Sequence, residues 1–216
     1  MAEELYKQGI YKYNKINMFM KLKRGHWIIL IFTLAYVIAY SVYYASIKNF
    51  EFLWYISVLV FFFALIFFTI HKTKFDYFIL WGLTIWGLLH MSGGGWIVNG
   101  DILYNLQIIH LFNIGDTYVL KFDQFVHIFG FFVTALVAFH LLKRQTKGKP
   151  NWTLVYIASA LISMGLGGIN EIVEFIATVS VENVNVGGYY NTALDLIANA
   201  IGAFLSIFFM RIRKNE

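Results

Sequence analysis

Six long apolar stretches, separated by short polar connections, dominate the pattern of hydrophobic and polar positions. They cover about residues 27–47, 52–70, 77–92, 122–142, 152–177 and 190–212. A helix rises 1.5 Å per residue, so about twenty residues cross a hydrocarbon core about 30 Å thick. The pattern predicts an all-α integral membrane protein, a bundle of six transmembrane helices that forms one membrane domain over residues 26–216.

Composition supports this fold class. The chain is 59% hydrophobic and only 13% charged, whereas a soluble domain has about 25% charged residues. A soluble globular protein is therefore excluded. The chain has no cysteine, which rules out disulfides, thiolate metal sites and a cysteine nucleophile.

The basic residues predict the orientation. Of the 17 Lys and Arg residues, all but Lys48 and Lys121 fall before the first span, in the second and fourth connections, or in the tail. The positive-inside rule places this side and both termini in the cytoplasm of a multi-pass plasma (inner) membrane protein. The net charge of +5 then reflects topology, and no nucleic-acid partner is expected. Residues 1–25 form a basic, aromatic leader expected in the cytoplasm or on the inner headgroups.

Ionisable and amide side chains interrupt the last four spans. The informative ones are His90, Asp123, His127, Glu171, Glu174, Asp195 and Asn199. The predicted topology places all of them in the outer half of the membrane. Asp123 and His127 are four residues apart, as are Asp195 and Asn199, and Glu171 and Glu174 are three apart. Such spacing puts the two members of each pair on one helix face, so we expect one shared polar pocket.

Buried carboxylates need a compensating charge, since an acidic residue at a span centre costs roughly 2.5–3.5 kcal/mol. Apart from Arg211 at the inner end of the sixth, the predicted spans contain no Lys or Arg, which leaves protons, histidines, water or a metal ion. Carboxylates with imidazole are expected ligands of Zn, Mn or Fe. A buried polar network with a purely structural role is the alternative.

The candidate roles divide into three groups. The predicted ligands of a divalent metal are Asp123, His127 and Asp195, with His90 as an additional one. Glu171 and Glu174 are candidate catalytic bases. Asn199 and Asn191 are expected to support the ligand side chains by hydrogen bonds.

The connection over residues 95–121 is long and unusually apolar for a loop. We predict a lid or an interfacial helix that lies over the polar pocket. Asp101, His110 and Asp116 could reach the pocket from this connection, although solvation of a loop explains them equally well.

The motifs Phe122-Asp-x-x-x-His127, Glu171-x-x-Glu174-Phe175 and Asn191-Thr-x-x-Asp195-x-x-x-Asn199-x-x-Gly202-Ala occur in this order. This order resembles the VanZ-like superfamily, and the length and six-span plan are closest to its YjdF-type, largely uncharacterised inner-membrane branch. The match covers about residues 87–207. The resemblance points to the same acidic, His and Asn positions and implies a role in the cell envelope. The segment before Asn191 lacks the Arg that often precedes the final Asp in VanZ-like sequences.

Three functions fit these observations. The first is a metal-dependent enzyme that acts on a lipid or lipid-linked envelope substrate. The second is a proton- or cation-coupled carrier, although the inner halves of the spans contain almost no acids to continue a relay. The third is a non-catalytic envelope protein with a structural polar network. The sequence does not decide whether the protein is an enzyme, and it identifies no substrate.

Overall fold

A computed structural model describes residues 22–114, 117–181 and 187–214. Within these ranges the chain forms six α-helices, and the predicted leader lies almost entirely outside the described residues. The helices are α1 Arg24–Ser46, α2 Phe50–Thr73, α3 Tyr77–Gly95, α4 Phe122–Gln145, α5 Trp152–Ser180 and α6 Tyr189–Arg213. The fold is therefore all-helical, and each helix covers one of the six predicted apolar segments.

Five of the described helices are long and apolar enough to cross a membrane: α1, α2, α4, α5 and α6. The exception is α3, whose sequence includes Thr84, His90, Ser92 and the run Gly93-Gly-Gly95. Much of α3 is buried among its neighbours. A helix enclosed by other helices can use small and polar residues, because protein rather than lipid surrounds it.

Two pairs of helices run parallel to each other. At the start of α4 and α6, Nδ2 of Asn191 lies 3.3 Å from Oδ2 of Asp123. At their other ends, Nζ of Lys143 donates to the carbonyl of Arg213 at 2.9 Å. The pair α1 and α3 is likewise parallel, with hydroxyl contacts Thr33–Thr84 at 3.0 Å and Tyr40–Ser92 at 2.7 Å. α4 runs opposite to α3, because Gly82 of α3 meets Val133 and Trp86 meets Gly130. α5 runs opposite to α4, because Ser163 contacts Phe131 and Glu171 contacts His127. These neighbouring helices therefore alternate in direction.

This alternation gives the bundle two distinct ends. We call the end where α3 finishes at Gly95 and α4 begins at Phe122 the loop end, and the opposite end the basic end. At the basic end, Nη2 of Arg213 donates to Oδ2 of Asp76 at 2.6 Å. This ion pair joins the end of α6 to the residue that caps α3.

Close helix packing positions the first turns of α4 and α6 against each other. A Cβ built on Gly202 of α6 would lie 2.1 Å from the carbonyl oxygen of Ile128 on α4. Only glycine allows the two backbones to approach this closely. The contact lies beside His127 and Asn199, so it fixes the distance between the helices at the polar residues.

The connection between α3 and α4 does not form the interfacial helix that the sequence analysis offered as one possibility. Its described part contains two short antiparallel hairpins, Ile97–Val98 with Asp101–Ile102 and Asn113–Ile114 with Thr117–Tyr118. A 3-10 helix, Leu103–Asn105, lies between them. Pairing within hairpins satisfies backbone groups that an interfacial helix would have satisfied internally.

The connection is only partly packed against the bundle. Leu103 is buried, and Tyr104 contacts His90 at the end of α3. The apolar side chains from Ile108 to Phe112 are exposed. The segment around Tyr104 therefore covers the loop end, while the apolar side chains of the following segment stay exposed.

Candidate functional site

Asp123, His127 and Asp195 meet at the loop end of the bundle. Each offers one ligand atom, and these atoms lie within 4.8 Å of one another. Asp123 and His127 are four residues apart on α4, and Asp195 lies in the second turn of the parallel helix α6. Two parallel helices that start at the same level therefore bring together three residues predicted to bind a metal.

His127 is held by hydrogen bonding between helices. Its Nδ1 lies 2.9 Å from Oδ1 of Asn199, and its Nε2 lies 3.7 Å from Oδ1 of Asp123. When Oδ1 of Asn199 accepts, Nδ1 is the protonated nitrogen and Nε2 carries the lone pair. The nitrogen able to bind a metal therefore faces Asp123.

A second group shares His127 with two residues of α5. Ligand atoms of His127, Glu171 and Glu174 also lie within 4.8 Å of one another. Nδ1 of His127 lies 3.8 Å from Oε1 of Glu171. Oε1 of Glu174 accepts a hydrogen bond from Nδ2 of Asn170 at 2.8 Å. Glu171 and Glu174, the two predicted bases, thus border the same imidazole.

Asn191 links the carboxylates of α4 and α6. Its Nδ2 donates to Oδ2 of Asp195 at 2.5 Å and lies 3.3 Å from Oδ2 of Asp123. Asn191 and Asn199 therefore both contact predicted ligand side chains. The second carboxylate oxygen of Asp195 remains buried and has no hydrogen-bond partner among the described residues.

Both carboxylate oxygens of Glu171 are buried in the site. The side-chain amides of Asn170 and Asn199 lie near this carboxylate, but neither forms a well-aligned hydrogen bond to it. Burying an ionised carboxylate without a partner costs several kcal/mol. The site therefore favours a proton or a cation on this group of acids.

Lys121 is a basic partner for the carboxylates, although the sequence predicted none. Its side chain is buried, and its Nζ lies 3.4 Å from Oδ2 of Asp123. Lys121 is the residue immediately before α4. The hydropathy pattern assigned it to the loop, but the surrounding loop and helices enclose its side chain.

His90 lies beside this site but in neither three-residue group. Its Nδ1 contacts the hydroxyl of Tyr104 at 2.5 Å, and that hydroxyl also donates to the His90 carbonyl at 2.8 Å. Burial raises the pKa of Tyr104 well above its ordinary value, so the hydroxyl keeps its proton at physiological pH. The structure thus gives His90 a hydrogen-bonding partner in the loop.

Asp101 and His110, two loop residues that could have reached the polar pocket, do not join the site. Asp101 is exposed, and its carboxylate accepts hydrogen bonds from the Asn105 side chain and the Ile102 backbone. His110 is also exposed and contacts Gln107. Both side chains have hydrogen-bonding partners within the loop. Asp116 lies outside the described residues.

A small cavity of about 70 Å³ adjoins the site at the loop end. Its wall includes Asp123, Glu174 and Lys121 together with His90 and Glu51. Glu51 was missed by the sequence analysis because it lies one residue before the predicted second span. It is buried in the first turn of α2. The position of Glu51 beside the outer end of a predicted span is the sequence feature that could have identified it as part of the site.

This arrangement has the donor chemistry of a metal centre. Carboxylates and a neutral imidazole nitrogen suit Zn, Mn or Fe, and the buried unpartnered oxygen of Asp195 is available to a cation. Asn199 orients the imidazole in the way that supporting residues orient metal-binding histidines.

Comparison with known proteins gives a family but no activity. Searches of curated proteins and of solved structures found no match. YjdF-type proteins are in the matching family, but nothing in the comparisons is specific to VanZ-like or to YjdF-type proteins. The family match covers residues 25–216, so the chain belongs to the family described as Predicted membrane protein (DUF2238).

Proposed function

We propose that this protein is a membrane-embedded, metal-dependent enzyme that acts on a lipid or lipid-linked substrate of the cell envelope. One observation carries the proposal: two three-residue groups of potential ligands share His127 inside a bundle of apolar helices. An arrangement of several ionisable side chains at membrane depth is costly and is usually kept for function.

Asp123, His127 and Asp195 would hold the metal. Their ligand atoms are close together, and Nε2 of His127 faces Asp123. The unpartnered oxygen of Asp195 supplies a further ligand position. When bound, a divalent ion lowers the pKa of a coordinated water and polarises a phosphoryl or acyl oxygen.

Glu171 would act as the general base. Both of its oxygens are buried and lack a well-aligned hydrogen bond to the described residues, so both can accept a proton. Its Oε1 lies 3.8 Å from Nδ1 of His127, so the carboxylate borders the imidazole ring that would bind the metal through Nε2. Glu174 is less available because Asn170 already donates to it.

The membrane arrangement proposed with this function has six spans, including α3, with both termini in the cytoplasm of the plasma membrane. The alternating helix directions support it, as do the basic residues at one end, such as Lys143 and Arg213. In this orientation the site lies in the outer half of the bilayer, accessible to substrates of the outer leaflet. The ordered motifs support kinship with the VanZ-like superfamily.

Elemental analysis of the purified protein tests the metal. We expect the wild type to retain about one equivalent of Zn, Mn or Fe, and the variants His127→Ala and Asp195→Ala to lose it while still inserting in the membrane. His110→Ala and Asp101→Ala are matched controls, because both residues are exposed in the loop. A wild type that neither retains nor rebinds any of these metals would overturn the metal proposal.

Catalysis is tested separately with metal-loaded protein in vesicles made from total envelope lipids. Mass spectrometry should detect a lipid product from the wild type and none from Glu171→Gln, whose metal content should stay unchanged. Asp101→Asn is the control for loss of a carboxylate outside the site. Equal product from the wild type and Glu171→Gln would exclude Glu171 as the base.

A further inference from the structure

A second, larger cavity lies beside the polar site. It is a cleft of about 390 Å³ between α2, α3, α4 and α5, within the range of about 300–1,000 Å³ typical of ligand pockets. Its wall is mainly apolar and includes Phe62, Leu65, Val137, Leu166 and Ile169.

The cleft and the small polar cavity meet. Tyr55, His90 and Glu174 line both of them. An apolar space therefore lies next to a polar one at the loop end. This sequence of environments matches an amphiphile, with its chain in the cleft and its headgroup in the polar cavity.

The dimensions of the cleft fit a lipid chain. Its lining residues on α2 run from Tyr55 to Thr73, a distance of about 27 Å along the helix. Leu166 and Ile169 on α5 are 40% and 50% exposed, so the cleft is open at its side. In a bilayer that opening faces lipid, and acyl chains are the apolar molecules that can enter it.

The polar cavity favours a headgroup with a positive charge. Its wall carries the carboxylates of Glu51, Asp123 and Glu174 and the ammonium group of Lys121, which lies 3.4 Å from Oδ2 of Asp123. Asn191, which is 5% exposed, also lines the cavity, and its Oδ1 has no partner among the described residues. The unpartnered amide oxygen of Asn191 complements a group that donates hydrogen bonds.

Aromatic rings add to this preference. Phe52, Tyr55 and Tyr104 line the same cavity, and the face of an aromatic ring attracts an ammonium group. From these observations we propose that the two cavities bind one membrane lipid, with an acyl chain in the cleft and an ammonium-bearing headgroup in the polar cavity. This inference rests on the proposed function in that it names the lipid class acted on.

Photo-crosslinking in metal-free protein tests the inference. The protein is treated with a chelator and mixed with phosphatidylethanolamine or phosphatidylglycerol that carry the same diazirine-labelled acyl chain. We expect crosslinks to residues that line the cleft, with about tenfold weaker labelling by phosphatidylglycerol. Labelling spread evenly over the exposed apolar faces, or equal labelling by both lipids, would overturn the proposal.

Matched variants locate the chain and the headgroup. Leu166→Trp fills the cleft and should reduce labelling, whereas Leu161→Trp should not, since Leu161 is 55% exposed on the same helix and does not line the cleft. Glu51→Gln should reduce the preference for phosphatidylethanolamine. Equal labelling of both Trp variants would contradict the position of the chain, and an unchanged preference in Glu51→Gln would contradict the headgroup site.

The outcome is independent of the metal proposal. Crosslinking is measured without metal and without turnover, and Glu51 belongs to neither metal group. Lipid binding with no metal retention would leave this inference standing and overturn the metal centre. Metal retention with no selective labelling would leave the metal centre standing and overturn the lipid-binding inference.

Discussion

Nδ1 of His127 lies 2.9 Å from Oδ1 of Asn199, although 72 positions separate the two residues in the sequence. This contact joins α4 to α6 and fixes the imidazole so that Nε2 faces Asp123. The proposed metal site therefore depends on a residue that would not itself bind the metal.

Replacement of Asn199 tests this dependence. Asn199→Ala should weaken Zn or Mn binding by about 10–100-fold, because the imidazole loses the group that orients it. Isothermal titration of detergent-solubilised protein measures the change. Ser206→Ala is the control, since Ser206 is also buried on α6 and donates to the Ala203 carbonyl within its own helix. Equal affinities of Asn199→Ala and the wild type would contradict the orienting role.

Removal of the Lys121 charge should have the opposite effect. Its Nζ lies 3.4 Å from Oδ2 of Asp123, so the ammonium group repels a cation bound at that carboxylate. We expect Lys121→Gln to bind Zn or Mn several-fold more tightly than the wild type. Lys48→Gln is the control at an exposed basic residue. Weaker metal binding by Lys121→Gln would show that Lys121 supports the site instead.

The close approach of α4 and α6 predicts a stability effect at Gly202. A Cβ there would lie 2.1 Å from the Ile128 carbonyl oxygen, so Gly202→Ala should lower the free energy of unfolding by about 1–3 kcal/mol. Thermal denaturation in detergent measures this. At Gly165 of α5 a Cβ would meet nothing within 4 Å, and Gly165→Ala should leave stability unchanged or slightly raised. Equal stability of the two variants would contradict the predicted packing.

Single-cysteine labelling tests the proposed orientation, because the native chain has no cysteine. A membrane-impermeant thiol reagent added to intact cells should label Asn99→Cys in the loop between α3 and α4. It should label Lys147→Cys only after the membrane is permeabilised. Both residues are exposed, so the reagent can reach each of them. Labelling of Lys147→Cys in intact cells would reverse the orientation.

Sequence periodicity predicted which residues share a helix face but could not show which helices are neighbours. Asp123 and His127 are four residues apart, and so are Asp195 and Asn199; such spacing places each pair on one face whatever the tertiary structure. That the pairs meet depends on α4 and α6 being parallel and adjacent, with Gly202 against Ile128.

The charge balance of the site was decided only by tertiary structure. Hydropathy assigns Lys121 and Glu51 to polar connections, because both precede apolar segments. The folded chain buries both side chains, since the loop around Tyr104 and the first turn of α2 enclose the loop end of the bundle.

The helical spans were determined by local sequence, because continuous apolar segments must satisfy their backbone hydrogen bonds internally within a bilayer. The connection from α3 to α4 follows no such rule. Its apolar residues indicated packing, yet only part of the segment, including Leu103 and Tyr104, contacts the bundle. Which apolar loop residues are buried depends on the surface beneath them, and that surface exists only after the helices have packed.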